Sequence, residues 1–185
     1  MGACPAKYYC FEGGLSVIFL FSEVNGVERK KLDSIDMRIL AELQANGRIT
    51  NIELSRRAKI TAPPCLRRMR ALEKAGYIRG YYADLDGKAL GFAVTGFVFV
   101  GLASQNEADL KHFEERVCAW PQVRECHMLS GEVDFLLKCV ETDLSAFQNF
   151  IANTLTAEKN VASVKTSLVM HVTKSAPGVP LGLDD

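Results

Sequence analysis

Hydrophobic residues recur at helical spacing in the first half of the chain. Ile35, Ile39 and Leu43 form the first run, which follows Asp33 and stops at Asn46. An acidic residue before such a run and an Asn-Gly pair after it are typical helix boundaries. The pattern therefore predicts a first helix from about residue 33 to 45.

Two further helices are predicted close behind it. Thr50-x-x-Glu53 has the form of a capping box and predicts a short helix that ends near Ala58. After a tight connection, a third helix is predicted over 62–75 and closed by Gly76. Three short helices with a tight turn between the last two predict a helix-turn-helix.

The periodicity changes after about residue 92, where strand-like runs alternate with helical ones. The predicted elements are a strand over 92–103, a helix from Asn106 to Trp120, two short strands on either side of Gly131-Glu132, a helix after Asp143 and a strand over 161–172. This βαββαβ order is that of the ferredoxin-like fold. The expected fold class is therefore α+β, with an N-terminal winged helix-turn-helix followed by a C-terminal ferredoxin-like βαββαβ domain.

Connecting segments suggest the domain boundaries. The alternating aromatic stretch YIRGYYADLD predicts a strand or small wing after the third helix, and GKALGF predicts a hinge. We expect a leader or mis-assigned start over 1–30, a winged helix-turn-helix over 31–84, a hinge over 85–92, the βαββαβ domain over 93–174 and a flexible tail over 175–185.

Charge is distributed unevenly although the formal net charge of the 185 residues is zero. Residues 28–91 carry 14 Lys and Arg against 8 Asp and Glu, whereas residues 92–185 carry 7 against 12. A basic half joined to an acidic half suggests a polyanion-binding module attached to a second activity.

Catalytic, metal and membrane functions find little support. The six cysteines form no C-x-x-C pair and are interpreted as reduced, cytosolic thiols. Cys126 and His127 are adjacent in a predicted strand, so their side chains point to opposite faces and disfavour a metal site. No nucleophile elbow, phosphate loop or paired-carboxylate motif occurs, and no apolar run is long enough for a membrane span. We therefore predict a cytoplasmic protein that is not an enzyme.

The third predicted helix is the centre of the basic charge. Residues 56–79 hold eight Lys and Arg against one acid, Glu73. Such clusters supply phosphate contacts to DNA, and arginine at the start of a recognition helix can bond guanine in the major groove. Arg67 and Arg68 are candidates for that contact, although a basic helix face can also be merely solvated.

Two prolines open this helix. If Thr61 is its N-cap, the hydroxyl would normally accept from an N–H two or three residues later. Pro63 and Pro64 occupy those positions and have no N–H. The Thr61 hydroxyl is then available to a DNA phosphate.

A second candidate site is SGEVDFLL, at 130–137. Asp134 is a charge within an apolar strand and needs a partner. That partner is either the ammonium group of an amino acid, with Gly131 allowing close approach and Ser130 donating, or nearby backbone N–H groups.

These stretches together resemble the leucine-responsive regulatory protein (Lrp/AsnC) family. The resemblance is carried by KLDSIDMRILAELQANGRITNIELSRRAKIT, APPCLRRMRALEKAGYIRGYYADLD, ECHMLSGEVDFLLK and the last strand around VKTSLV. It implies dimers through the second domain, often assembled into octamers, and an amino-acid effector such as leucine bound between dimers, without a further cofactor.

The resemblance also assigns residues. By position, Thr61, Pro63, Arg67 and Arg68 match the family's DNA-reading helix, and further DNA contacts are expected from Thr50, Arg56 and Arg70. Effector contacts are expected from Ser130, Gly131, Asp134 and Thr166. The function expected is amino-acid-responsive transcriptional regulation on double-stranded DNA. The alternatives are an architectural DNA-binding protein without effector and an amino-acid-sensing regulatory subunit of an enzyme.

Overall fold

A computed structural model describes residues 31–181. The predicted leader over 1–30 lies outside these residues. The described chain forms two compact units, one made of 31–85 with 173–181 and the other of 86–172. Within the described part, no helix is long and apolar enough to cross a membrane.

The first unit contains the three predicted helices. They are α1 (Ser34–Ala45), α2 (Asn51–Arg57) and α3 (Ala62–Lys74). Their apolar faces meet in one small core, whose buried members are Ile39, Leu43, Leu54, Ala58, Cys65 and Leu72. The helix-turn-helix prediction is thus confirmed.

The helix starts use the predicted caps. The Asp33 carboxylate accepts from the backbone N–H of Ile35 and Asp36, and the Thr50 hydroxyl accepts from that of Glu53 at 3.2 Å. The acids at 36 and 53, which would complete reciprocal capping boxes, bond arginine side chains instead. The cap of α1 therefore leaves Asp36 to bond α3, whereas Glu53 bonds Arg56 within α2.

The predicted wing is not seen as a strand. Residues 78–86 have no regular secondary structure and no ladder hydrogen bonds in this structure. An extended segment becomes a strand only beside a partner strand, and this stretch has none nearby among the described residues. The Tyr81 hydroxyl donates to Glu73 Oε1 at 2.9 Å, which ties the stretch back to α3.

The second unit has the predicted βαββαβ order. It comprises β1 (Val94–Leu102), α4 (Glu107–Cys118), β2 (Val123–Met128), β3 (Phe135–Glu141), α5 (Leu144–Phe150), a π-helical turn (Ile151–Leu155) and β4 (Val161–Leu168). The four strands form one sheet in the order β2-β3-β1-β4, with every described neighbour antiparallel.

One face of the sheet is covered by the helices. Val98, Val100, Phe135 and Leu137 point to this face and are fully buried, because strand residues alternate between faces. Gly96 is needed on the same face, since an added Cβ would lie 2.7 Å from the Phe147 ring. The core of this unit therefore lies between the sheet and its helices.

The chain returns to the first unit after β4, which ends four residues earlier than predicted. The Gln44 side-chain amide donates to Val179 O at 2.8 Å and accepts from Val179 N at 3.0 Å. Gly178 has φ +84°, and an added Cβ would collide with Gln44 Oε1. The tail predicted to be flexible thus has a defined contact with α1.

None of the described cysteines forms a disulfide; they are Cys65, Cys118, Cys126 and Cys139. Burial raises the pKa of the Cys126 and Cys139 thiols to about 12. No group of three or more metal-ligating side chains occurs within residues 31–181.

Candidate DNA-reading and effector sites

The solvent-facing side of α3 is basic. Pro63, Arg67, Arg70 and Lys74 are all exposed. They recur three or four residues apart, so they follow one stripe along the helix. Thr61, the N-cap, is exposed at the start of the helix. This stripe is the surface of α3 that can enter a groove of DNA.

The eight basic residues between 56 and 79 separate into two groups. Arg56, Arg57 and Arg68 form ion pairs with carboxylates of the same domain. No carboxylate of the described chain pairs with the second group, which consists of Lys59, Arg67, Arg70, Lys74 and Arg79. The side chains of the second group can therefore bind a phosphate or a base without first breaking an ion pair.

Arg68 faces α1 rather than the basic stripe. Its Nη1 donates to Asp33 Oδ2 and to Asp36 Oδ1, both at 2.7 Å. Asp36 is 1% exposed, so the nearby guanidinium stabilises its charge at a position that water hardly reaches. The predicted base contact by Arg68 is thus replaced, in this structure, by a bridge between α1 and α3.

Arg56 lies in an exposed ion-pair network on α2. Its guanidinium bonds both carboxylate oxygens of Glu53, at 2.9 and 2.6 Å, and Arg57 bonds Glu53 and Glu42. Hydrogen bonds from Arg56 and then Arg57 lower the pKa of Glu53 to about 2. Arg56 must share or leave this network in order to contact DNA.

We expect Glu53→Gln to remove an acid-sensitive part of the stability. A carboxyl whose pKa is lower in the folded than in the unfolded state stabilises the folded protein at pH values above its unfolded pKa. This stabilisation is lost as the pH falls through the folded pKa. The variant should be less stable than the parent at pH 7, and the difference should vanish as pH falls from about 4.5 to about 2. Urea unfolding across this range measures it. Glu115→Gln, at an exposed glutamate, serves as control, and an unchanged pH profile for Glu53→Gln would contradict the assignment.

The start of α3 has the predicted unusual cap. Thr61 has extended backbone angles but makes no side-chain cap hydrogen bond, because prolines occupy the first turn. The Asn51 side chain donates to Ala62 O at 3.0 Å and so fixes the start of α3 against α2. The Thr61 hydroxyl therefore remains available at the exposed end of the basic stripe.

The candidate effector loop joins β2 to β3. Ser130 and Gly131 are exposed in it, and Gly131 has φ +156°, a value that side-chain-bearing residues rarely adopt. An added Cβ at Gly131 would meet nothing within 4 Å. Backbone conformation rather than crowding therefore requires glycine here.

Asp134 holds the end of this loop against β1. Its Oδ2 accepts from Leu102 N at 2.6 Å, and its backbone N–H donates to Val100 O at 2.9 Å. Its carbonyl accepts from Leu129 N at 2.8 Å. The backbone-capping role, one of the two open alternatives, is thus present. It occupies one oxygen of the carboxylate and is compatible with an ammonium ligand on the other.

Thr166 lies elsewhere in the chain. It pairs with Val98 in the middle of β1, while Asp134 bonds the end of β1 from the opposite side. Thr166 borders a cavity of about 260 Å³ beside Phe147 and Ile151. Within one chain, the structure brings Ser130, Gly131 and Asp134 together but not Thr166.

The sheet face opposite the helices, which no element of residues 31–181 covers and which is called the uncovered face below, is partly apolar. Phe97 and Phe99 on β1 and Leu136 and Val140 on β3 point away from the helices and are half-buried. Lys138, paired with Glu125, lies between Leu136 and Val140 opposite Phe97, so the face combines apolar residues with an ion pair, as surfaces suited to a protein contact often do.

The sequence placed Lys74 on the basic side of this helix, but Lys74 was not among the expected DNA contacts, and the inward position of Arg68 was missed. Helical spacing alone could have indicated both. Pro63, Arg67, Arg70 and Lys74 follow one side at intervals of three or four residues, whereas Arg68 is rotated by about 100° from Arg67.

Comparison with known proteins identifies the families of both domains. Residues 32–79 match the winged helix-turn-helix DNA-binding family, and residues 95–179 match the Lrp/AsnC ligand-binding domain. The chain is 54% identical over 150 residues to the leucine-responsive regulatory protein of Rhizobium meliloti, covering 81% of this chain and 96% of that protein. It is 38% identical over 147 residues to the leucine-responsive regulatory protein of Escherichia coli K12, covering 80% and 90%.

Solved structures give the same result. A transcriptional regulator of Neisseria meningitidis in complex with L-Met matches with a TM-score of 0.78 and 38% identity, covering 81% of this chain and 97% of that one. An AsnC family regulator from Agrobacterium tumefaciens matches with a TM-score of 0.77 and 32% identity, covering 81% and 97%. With its helix-turn-helix and its βαββαβ ligand-binding domain, this chain belongs to the Lrp/AsnC family of transcriptional regulators.

Proposed function

We propose that this regulator reads double-stranded DNA with the basic stripe of α3 and changes its DNA binding when a small apolar amino acid, such as leucine or methionine, binds at the β2–β3 loop. The observation that supports it most directly is the stripe itself. Arg67, Arg70 and Lys74 are exposed cations without carboxylate partners in the described chain. The protein would act in the cytoplasm as a regulator without catalytic activity.

The DNA step follows from the geometry of α3. A recognition helix enters the major groove with its N-terminal part nearest the bases. Thr61 and Pro63 are at that end, Arg67 lies one turn further, and Arg70 and Lys74 continue towards the phosphates. We assign base contact to Arg67 and backbone contact to Arg70 and Lys74.

Salt dependence tests this step. Fluorescence anisotropy with an operator selected from random duplexes should show affinity falling by roughly 10³-fold or more between 50 and 200 mM salt, as for six or more phosphate contacts. Weak binding that hardly changes with salt would contradict a phosphate-binding surface and favour the enzyme-subunit alternative.

The effector step follows from the surroundings of Asp134. Met128 and Leu129 are exposed where β2 leads into the loop, next to the exposed Ser130. An apolar amino acid could cover these side chains while its ammonium group meets the Asp134 carboxylate. The L-Met complex of the Neisseria regulator and the leucine-responsive relatives support this ligand class.

Asp134→Asn should separate effector binding from folding. The amide oxygen can still accept from Leu102 N, while the charge that attracts an ammonium group is lost. A charge-assisted hydrogen bond contributes about 1.5–3 kcal/mol, so affinity for leucine or methionine should fall about 10- to 150-fold. Titration calorimetry measures this affinity, and the melting temperature should be nearly unchanged.

Glu132→Gln is the matched control, because it removes one exposed acidic charge from the same loop. It should leave effector affinity almost unaltered. If Asp134→Asn binds the amino acid as the parent does, Asp134 has only its capping role. If the parent itself gives no heat with any standard amino acid and DNA affinity does not change, the architectural alternative is favoured.

A homodimer is the smallest assembly that fits this proposal. The uncovered sheet face carrying Phe97 and Phe99 would pack against the same face of a second copy. Paired recognition helices could then contact successive major grooves on one side of the duplex. Octamers are proposed as the further assembly, with the effector loops at contacts between dimers, where Thr166 of a neighbouring copy could approach the loop.

A further inference from the structure

The turn between α2 and α3 contains an unusual backbone conformation. Within residues 31–181, Lys59 is the only non-glycine residue with a positive φ, at 57°. This left-handed region disfavours residues with a Cβ, and lysine is not among those that tolerate it best. A residue kept in such a conformation points to a role for its side chain.

The hydrogen bonds define the position of Lys59. Its N–H donates to Arg56 O at 3.2 Å, and the N–H of Ile60 donates to Ser55 O at 3.0 Å. This is the Schellman ending of a helix, in which the residue at Lys59 is most commonly glycine.

The same chain ends α3 by the same motif with a glycine. Gly76 has φ +77°, its N–H donates to Glu73 O at 3.0 Å, and the N–H of Tyr77 donates to Leu72 O at 3.1 Å. The two helix endings thus differ chiefly in the side chain, and Gly76 shows the residue that the backbone alone would favour.

The Lys59 side chain is free to bind an anion. It is exposed, and no carboxylate of the described residues pairs with its ammonium group. It lies two residues before Thr61, whose hydroxyl makes no cap bond. The prolines that follow also remove backbone N–H groups that could otherwise bind a phosphate there, so side chains must supply the donors.

We propose that Lys59 binds a DNA backbone phosphate beside the recognition helix and is kept in its unfavourable conformation for that contact. This inference rests on the proposed DNA-reading role of α3. A phosphate contact positions the helix and adds affinity without distinguishing bases. Lys59 therefore contributes equally to all sequences that the protein binds.

Lys59→Gly makes stability and DNA affinity move in opposite directions. Removing the Cβ relieves the backbone, so the melting temperature should rise by about 2–4 °C. Losing one phosphate contact should lower the salt slope by about 0.9 for each copy of the domain on the duplex, and affinity at 0.15 M salt by roughly fivefold per copy. Thermal unfolding and anisotropy titrations across salt concentrations measure the two effects.

Three variants make the test specific. Lys59→Arg keeps the charge and should keep both the affinity and the salt slope. Lys88→Ala removes one exposed charge from the hinge and should change neither appreciably. Gly76→Lys introduces the unfavourable conformation at the end of α3, where an added Cβ meets nothing within 4 Å, and should lower the melting temperature.

The outcomes distinguish this inference from the proposed function. If the parent protein binds no duplex DNA, the proposed function fails. If the parent binds and Lys59→Gly binds equally well with the same salt slope, only the Lys59 contact is overturned. Equal weakening by Lys88→Ala would also overturn it, because the effect would then be one of net charge.

Discussion

Arg68→Ala is expected to lower the free energy of unfolding of the DNA-binding domain by about 3 kcal/mol. The variant leaves the Asp36 carboxylate, which is 1% exposed, without the guanidinium 2.7 Å away. Removing the guanidinium is costly, because water hardly reaches the carboxylate to replace the lost contact. Urea unfolding followed by circular dichroism measures the loss.

Replacing both partners of this bridge provides the control. The double variant Asp36→Leu and Arg68→Met removes the charge pair together and should recover most of the lost stability, since apolar side chains of similar size can replace a buried pair. A single Arg68→Ala variant as stable as the parent would show that the bridge does not stabilise the domain. Such a variant that also lost DNA affinity while folded would return Arg68 to the DNA-contacting residues.

Arg67→Ala is expected to have the opposite profile. Arg67 is exposed on the basic stripe and has no carboxylate partner in the described chain, so folding stability should change by less than about 0.5 kcal/mol. If Arg67 bonds a guanine, DNA binding should weaken by about 1–3 kcal/mol and specificity should relax at one base pair. Selection of bound duplexes from a random pool, followed by anisotropy on the selected sites, measures both effects.

The two neighbouring arginines thus form a matched pair with separable effects. Arg67→Ala should spare the fold and alter base preference, whereas Arg68→Ala should spare base preference and weaken the fold. If Arg67→Ala lowers the affinity for all DNA sequences equally and lowers the salt slope by about 0.9, Arg67 contacts a backbone phosphate rather than a base. No effect of Arg67→Ala on binding would mean that another surface contacts the DNA.

These expectations show where sequence reasoning succeeded. Helical and strand periodicity located the three helices and the βαββαβ order, because both follow from local burial patterns. The cap at Thr61 was predicted correctly from the prolines behind it, since an absent N–H is a covalent property of the residue. A charge and a glycine at a strand end located the loop of Ser130, Gly131 and Asp134, whose effector role stays a prediction.

Other features required partners that are distant in the chain. The stretch 78–86 alternates like a strand but has no partner beside it, so no ladder forms among the described residues. Asp134 is bonded by Leu102 N, 32 residues away, and Gln44 by Val179, 135 residues away. Neither pairing has a local signal, because each depends on how separate elements pack.

The amino-acid sequence by itself determined a basic helix-turn-helix joined to an acidic βαββαβ domain, because periodicity, caps and charge are local properties of the chain. Only the tertiary structure decided which cations face outward. Arg67 and Arg68 are adjacent and chemically identical, but the turn of the helix directs one to solvent and the other to a buried carboxylate on α1. Packing between helices, which the order of residues does not display, therefore separates the proposed DNA-reading arginine from the one that holds the domain together.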